Sequence, residues 1–69
     1  MLLIEKHRDI LTQHGYVKLE SRSSKYEVYY KDVNYFFLGS HGAIRYGKSK
    51  RVSESVSVVP KWFYTKFGV

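Results

Sequence analysis

The spacing of hydrophobic positions changes at Gly15. Before it, Leu3, His7, Ile10, Leu11 and His14 recur at helical spacing, with Glu5, Lys6, Arg8, Asp9 and Gln13 mostly on the other face. That pattern predicts an amphipathic helix over about residues 2–14. Gly15 then stands where a helix C′ residue adopts positive φ. No acid or third ligand stands at the spacing a metal site with His7 and His14 requires, so both are read as edging the core.

After Gly15 the period becomes two. Val17 and Leu19 alternate with Tyr16, Lys18 and Glu20, and Ser21-Arg22-Ser23-Ser24 reads as a polar turn. In the next stretch Tyr26, Val28 and Tyr30 fall on one face and Lys25, Glu27, Tyr29 and Lys31 on the other, with Tyr29 taken as exposed. Asp32-Val33-Asn34 is a hairpin turn in which Asn34 suits the left-handed region. Tyr35 to Leu38 is apolar on both faces and reads as the centre of a sheet.

Gly39-Ser40-His41-Gly42 makes the following turn, Ala43 to Tyr46 a fourth strand, and Gly47-Lys48-Ser49-Lys50-Arg51 another turn. Val52, Val56 and Val58 then alternate with Ser53, Ser55 and Ser57. Glu54 interrupts the apolar face, which predicts an edge strand or one that begins nearer Ser55. Pro60 ends the ladder. Lys61 to Phe67 suits either a short helix with Pro at N1, seating Phe63 and Phe67 on the sheet, or an irregular aromatic cap. The expected fold is α+β: one domain over residues 1–69, with an N-terminal helix on a mainly antiparallel meander of four to five strands and, on the helical reading of Lys61 to Phe67, a short C-terminal helix. One sheet face carries the helix and the other stays open.

Size and composition sharpen this picture. A chain of 69 residues buries only about 60% of its unfolded surface. It has no cysteine, so neither a disulfide nor a thiolate zinc site can compensate, and a reducing compartment is the expectation. Aromatic residues make up 17% of the chain, and each ring buries roughly 150–250 Å². No run of apolar residues reaches the ~18 needed for a membrane span, and charges follow Met1-Leu2-Leu3-Ile4 too closely for a signal peptide. A cytoplasmic location is expected, with no membrane partner.

The net charge is +6 and is unevenly distributed. Residues 41–69 carry Arg45, Lys48, Lys50, Arg51, Lys61 and Lys66 against Glu54 alone. Cations interleaved with Tyr46, Ser49, Trp62 and Tyr64 point to a polyanion, with phosphates neutralised by the cations and bases stacked on rings. The expected site is therefore Arg45, Tyr46, Lys48, Ser49, Lys50, Arg51, Lys61 and Trp62, with Tyr29 and the hydroxyls of Ser53, Ser55 and Ser57 adding sugar or phosphate contacts. The N-terminal helix has balanced charge and is no DNA-reading helix, so RNA or a single strand is preferred to duplex DNA.

Other chemistries fit parts of the chain. Gly42 to Ser49 satisfies G-x-x-x-x-G-K-[ST], but the strand-like Ile44-Arg45-Tyr46 and the absence of a following helix argue for a chance match. A helix ending His14-Gly15-Tyr16, followed by strands and a late Pro-containing segment, resembles the HicA family of small RNA-cleaving toxins, whose fold is α-β-β-β-α. In that family a catalytic His follows Gly-Ser just after the first strand. Here Ser23-Ser24-Lys25 stands at that place, and Gly39-Ser40-His41 comes two strands later. The resemblance implies His41 as a general acid/base candidate, with Arg45 or Lys48 stabilising a phosphorane. The non-enzymatic reading is favoured, with no cofactor or metal. A small regulator of the phage or mobile-element type, acting on a host protein through rings near cations, is the alternative from another class. The strand at 52–58 also permits homodimerisation by strand addition.

Overall fold

A computed structural model describes residues 3–19, 25–39 and 42–69. Helix α1 (Leu3–Gln13) leads into strands β1 (Val17–Leu19), β2 (Tyr26–Lys31), β3 (Asn34–Gly39) and β4 (Ile44–Gly47). A 3-10 turn (Val52–Glu54), strand β5 (Val56–Val58) and helix α2 (Pro60–Phe67) complete the chain. The five strands form an antiparallel meander in the order β1-β2-β3-β4-β5. The expected α+β architecture is thus present, and β3 is the central strand. The fifth strand begins after Ser55, where the 3-10 turn absorbs Glu54. The turns expected at 21–24 and at Ser40-His41 lie outside the described residues.

Both helices end in the same way. At α1, Tyr16 N donates to Leu11 O and Gly15 N to Thr12 O, with Gly15 at φ 86°. At α2, Val69 N donates to Tyr64 O and Gly68 N to Thr65 O, with Gly68 at φ 69°. These paired bonds are Schellman closures, and they satisfy carbonyls that the helices leave open. Lys31 Nζ adds a cation at the negative end of α1 by donating to His14 O at 2.9 Å.

Strand register settles which residues face the helices. Tyr29 pairs with Phe36 and Phe36 with Tyr46, while Glu27 pairs with Leu38 and Leu38 with Ile44. Side chains alternate along a strand, so this set shares one face. The set belongs to the helical side: Phe63 of α2 meets Phe36 edge to face, and Arg8 of α1 binds Glu27. The resulting core joins Ile10, Leu11, Tyr16, Tyr29, Phe36, Leu38, Ile44 and Phe63. Tyr29 is only 2% exposed, which corrects the expectation of an outward tyrosine. Its hydroxyl donates to Glu27 Oε1 at 3.0 Å, and Arg8 grips the same carboxylate through Nε at 3.2 Å and Nη2 at 2.8 Å. The polar members of the β2 pattern therefore anchor α1 to the sheet, and apolar spacing alone could not show that.

The β2–β3 hairpin also departs from the expected turn. Asp32, at φ 56°, takes the left-handed conformation, while Asn34 starts β3 and accepts a hydrogen bond from the Tyr46 hydroxyl at 2.7 Å. An aspartate tolerates that region better than most residues because its short side chain bonds locally.

Between the helices, His7 is fully buried. Its Nε2 shares a 2.9 Å hydrogen bond with the Tyr64 hydroxyl and its ring meets Phe63 edge to face at 5.2 Å, while Nδ1 has no partner among the described residues. An imidazolium would carry a proton on both nitrogens and leave one buried N–H unbonded. Burial, reinforced by Lys6, accordingly holds the His7 pKa below the ordinary 6.5. The Arg8 hydrogen bond holds the Glu27 pKa below its ordinary 4.5.

Both shifts act in one direction. Below pH 6.5 the unfolded chain takes up a proton at His7 that the folded chain refuses, so stability falls as pH drops towards the lowered folded pKa. Glu27 adds a further loss below pH 4.5. Denaturant unfolding across this range should show a loss approaching ~1.4 kcal/mol per pH unit for each fully engaged group. His7→Leu should flatten the upper part of that profile and Glu27→Gln the lower part.

Candidate nucleic-acid interface

The chain from Gly47 to Ser55 is held at its base by Arg45. The guanidinium lies on the face away from the helices, since Arg45 pairs with Phe37 across β3 and with Ser57 across β5. Its Nε donates to Ser55 Oγ at 2.8 Å and its Nη2 to Ser55 O at 2.7 Å. Ser55 Oγ in turn donates to Val52 O, and the Ser55 side chain is buried. The expectation of an outward Ser55 hydroxyl is corrected by these bonds. A Cβ on Gly47 would stand 3.2 Å from both Cα and Cβ of Ser55, so glycine is what lets the two segments approach.

Beyond this clasp the loop projects Lys48, Lys50 and Arg51, all exposed. Within it, Ser49 Oγ donates to Glu54 Oε2 at 3.3 Å and accepts from Arg51 N at 3.2 Å. Arg51 Nε approaches Glu54 Oε2 at 3.8 Å, with both side chains more than half exposed, a pairing that solvent largely screens. Among the described residues, neither Lys48 nor Lys50 forms an ion pair. The Gly42–Ser49 pattern contains strand β4, which ends on its second glycine, and is followed by a 3-10 turn. It has none of the continuous loop and helix N-terminus that cradle a nucleotide phosphate.

Tyr46 and Trp62 come together on the helical face beside this loop. Their ring centroids are 5.7 Å apart, and Lys66 Nζ lies 5.8 Å and 5.6 Å from the two centroids. Trp62 keeps 40% of its surface exposed. Lys61 is exposed on the first turn of α2. Ser53 and Ser57 are exposed as well. His41 lies outside the described residues.

Apart from Arg45, the open face of the sheet holds residues that the sequence pattern did not single out as a site. Register places Val17, Leu19, Tyr26, Val28, Tyr30, Tyr35, Phe37 and Arg45 together there. Val28 and Phe37 are buried at its centre, and the three tyrosines around them are half-exposed. Tyr30 and Tyr35 stack across the strands at 5.8 Å and 20°. Tyr35 lies opposite Gly47, so the neighbouring strand puts no side chain beside that ring. The odd–even parity of β2 would have revealed this face once Glu27 was assigned to the helical side.

No family model matches the chain, and neither the curated proteins nor the solved structures provide a match. Among the described residues, no helix is long and apolar enough to cross a membrane.

Arg45 and the two lysines should separate in mutagenesis. Arg45→Ala removes two charge-assisted hydrogen bonds and should lower stability by ~1.5–3 kcal/mol in denaturant unfolding. Lys48→Ala and Lys50→Ala should stay within about 0.5 kcal/mol of the parent.

Proposed function

We propose that the protein binds nucleic acid, with single-stranded RNA or DNA preferred. Lys48, Lys50 and Arg51 contact phosphates at the tip of a clasped loop, and Tyr35 and Trp62 offer rings to bases on either side of it. The observation that carries this reading is the loop itself. Three exposed cations with one weakly engaged carboxylate sit next to partly exposed aromatic rings, on a chain of net charge +6. Phosphate neutralisation supplies the affinity through release of counterions. Stacking favours unpaired bases, because rings on a sheet face cannot reach bases within a duplex.

A second reading, a protein partner such as a host factor or a second copy of the chain, is favoured by the β5 edge, where Val56 is exposed and Val59 just beyond it is exposed as well. It differs in its dependence on salt.

A salt-titrated binding assay against single-stranded RNA, duplex DNA and a non-nucleic polyanion tests the proposal. Single strands should bind tightest, with log K falling linearly in log salt. Replacing Lys48 and Lys50 by Ala should flatten the slope by ~0.7 for each phosphate that is no longer neutralised. Tyr35→Ala should cost ~1–3 kcal/mol if a base rests on it. Equal affinity for all three polymers would reduce the site to general electrostatic attraction. Salt-independent capture of a protein would favour the second reading. Intact labelled RNA after incubation with both the parent and His41→Ala would remove the ribonuclease alternative.

A further inference from the structure

The C-terminal ends of both helices and the β2–β3 hairpin border an open cleft of about 330 Å³ that is distinct from the basic loop, and its lysines offset the negative ends of the helices. Its volume is near the lower end of the ~300–1,000 Å³ typical of small-ligand sites. Lys31 and Lys66 border it. Lys31 donates one ammonium hydrogen to His14 O, which anchors the side chain and leaves two donors for a ligand. Lys66 belongs to α2, so the two positive charges come from different elements.

The remaining walls are polar on one side and aromatic on the other. Tyr16 is 7% exposed, yet its hydroxyl has no hydrogen-bond partner among the described residues and the residue lines the cleft. Burial, reinforced by Tyr46 and Asp32, pushes the Tyr16 phenol up, which keeps it a neutral donor. Asn34 has its carbonyl oxygen engaged by Tyr46, so its amide hydrogens remain available. The Asp32 side chain supplies the acceptor that a hydroxyl or exocyclic amine requires. His14 donates Nδ1–H to Ile10 O at 2.9 Å, since a carbonyl can only accept, and this leaves Nε2 unbonded. The His14 ring packs on Phe67 at 4.7 Å and forms the apolar wall.

We infer that this cleft binds a nucleoside monophosphate unit. The phosphate lies against Lys31 and Lys66, the sugar and base edge meet Tyr16, Asp32 and Asn34, and the base rests on His14 and Phe67. Such a unit is supplied either by a free nucleotide or by the phosphorylated end of a strand. The assignment does not depend on the basic loop.

Amide and side-chain NMR shifts of the whole chain, titrated with a nucleoside monophosphate up to about 10 mM, provide the test. Saturable shifts should appear at residues 14–16, 31–34 and 66–67 and in the His14 ring protons. Inorganic phosphate and the unphosphorylated nucleoside should each bind about tenfold more weakly or worse. Tyr16→Phe, which keeps the buried ring, should weaken binding about fivefold. Lys66→Glu, on the surface, should weaken it at least as much. The Lys48→Glu/Lys50→Glu variant should leave these shifts in place, which separates this site from the loop. Displacement of the mononucleotide by a short oligonucleotide with a terminal phosphate assigns the cleft to strand ends, and its persistence assigns it to free nucleotides; either result supports the site. Absence of saturable shifts at these residues would overturn the inference. So would equal affinity for inorganic phosphate, or indifference to both cleft variants.

Discussion

The fold depends on Phe36. Its ring, wholly buried at the middle of the central strand, meets Tyr16, Tyr46, Trp62, Phe63 and Phe67 at centroid distances of 4.9 to 6.5 Å. These partners come from the residue that leads into β1, from β4 and from α2, so one side chain ties the C-terminal helix to both halves of the sheet. A chain without cysteine has no covalent substitute for this packing. Deleting a buried phenylalanine typically costs 3–5 kcal/mol, a large part of what a domain this small commands.

Around that centre, polar contacts fix what the rings leave undetermined. Aromatic burial is non-directional and would accept α1 at several angles. The bidentate Arg8–Glu27 pair, capped by the Tyr29 hydroxyl, selects one of them. Lys31 on His14 O and Tyr46 on Asn34 act similarly at the hairpin end of the sheet. Small folds have few residues to assign to specificity, and here half-buried charges and phenol hydroxyls perform that task at the margins of the core.

The elements themselves are legible in the sequence because each rests on local signals. The change of period at Gly15, the doubly apolar run at Tyr35–Leu38 and Pro60 at the head of α2 are all short-range features. Facing is not legible. Tyr29 reads as outward because its immediate neighbours Lys25, Glu27 and Lys31 are charged, and only a partner nineteen residues away, Arg8, turns Glu27 inward. The candidate surface is half legible for the same reason. A cluster of cations can be read along the chain, whereas the commitment of Arg45 to Ser55 and the grouping of Tyr30 with Tyr35 require strand pairing to be known. The left-handed residue falls two positions before the one that the pattern favours, since both Asp32 and Asn34 suit that backbone and only the hairpin register chooses between them.

The Arg45 clasp also bears on how this surface can change over generations. With the loop base secured by a buried serine and a glycine, the residues at the tip contribute little to holding the chain together. Substitutions there can accumulate nearly free of folding constraint, so charge at the tip can drift towards a new ligand while the scaffold beneath it stays the same.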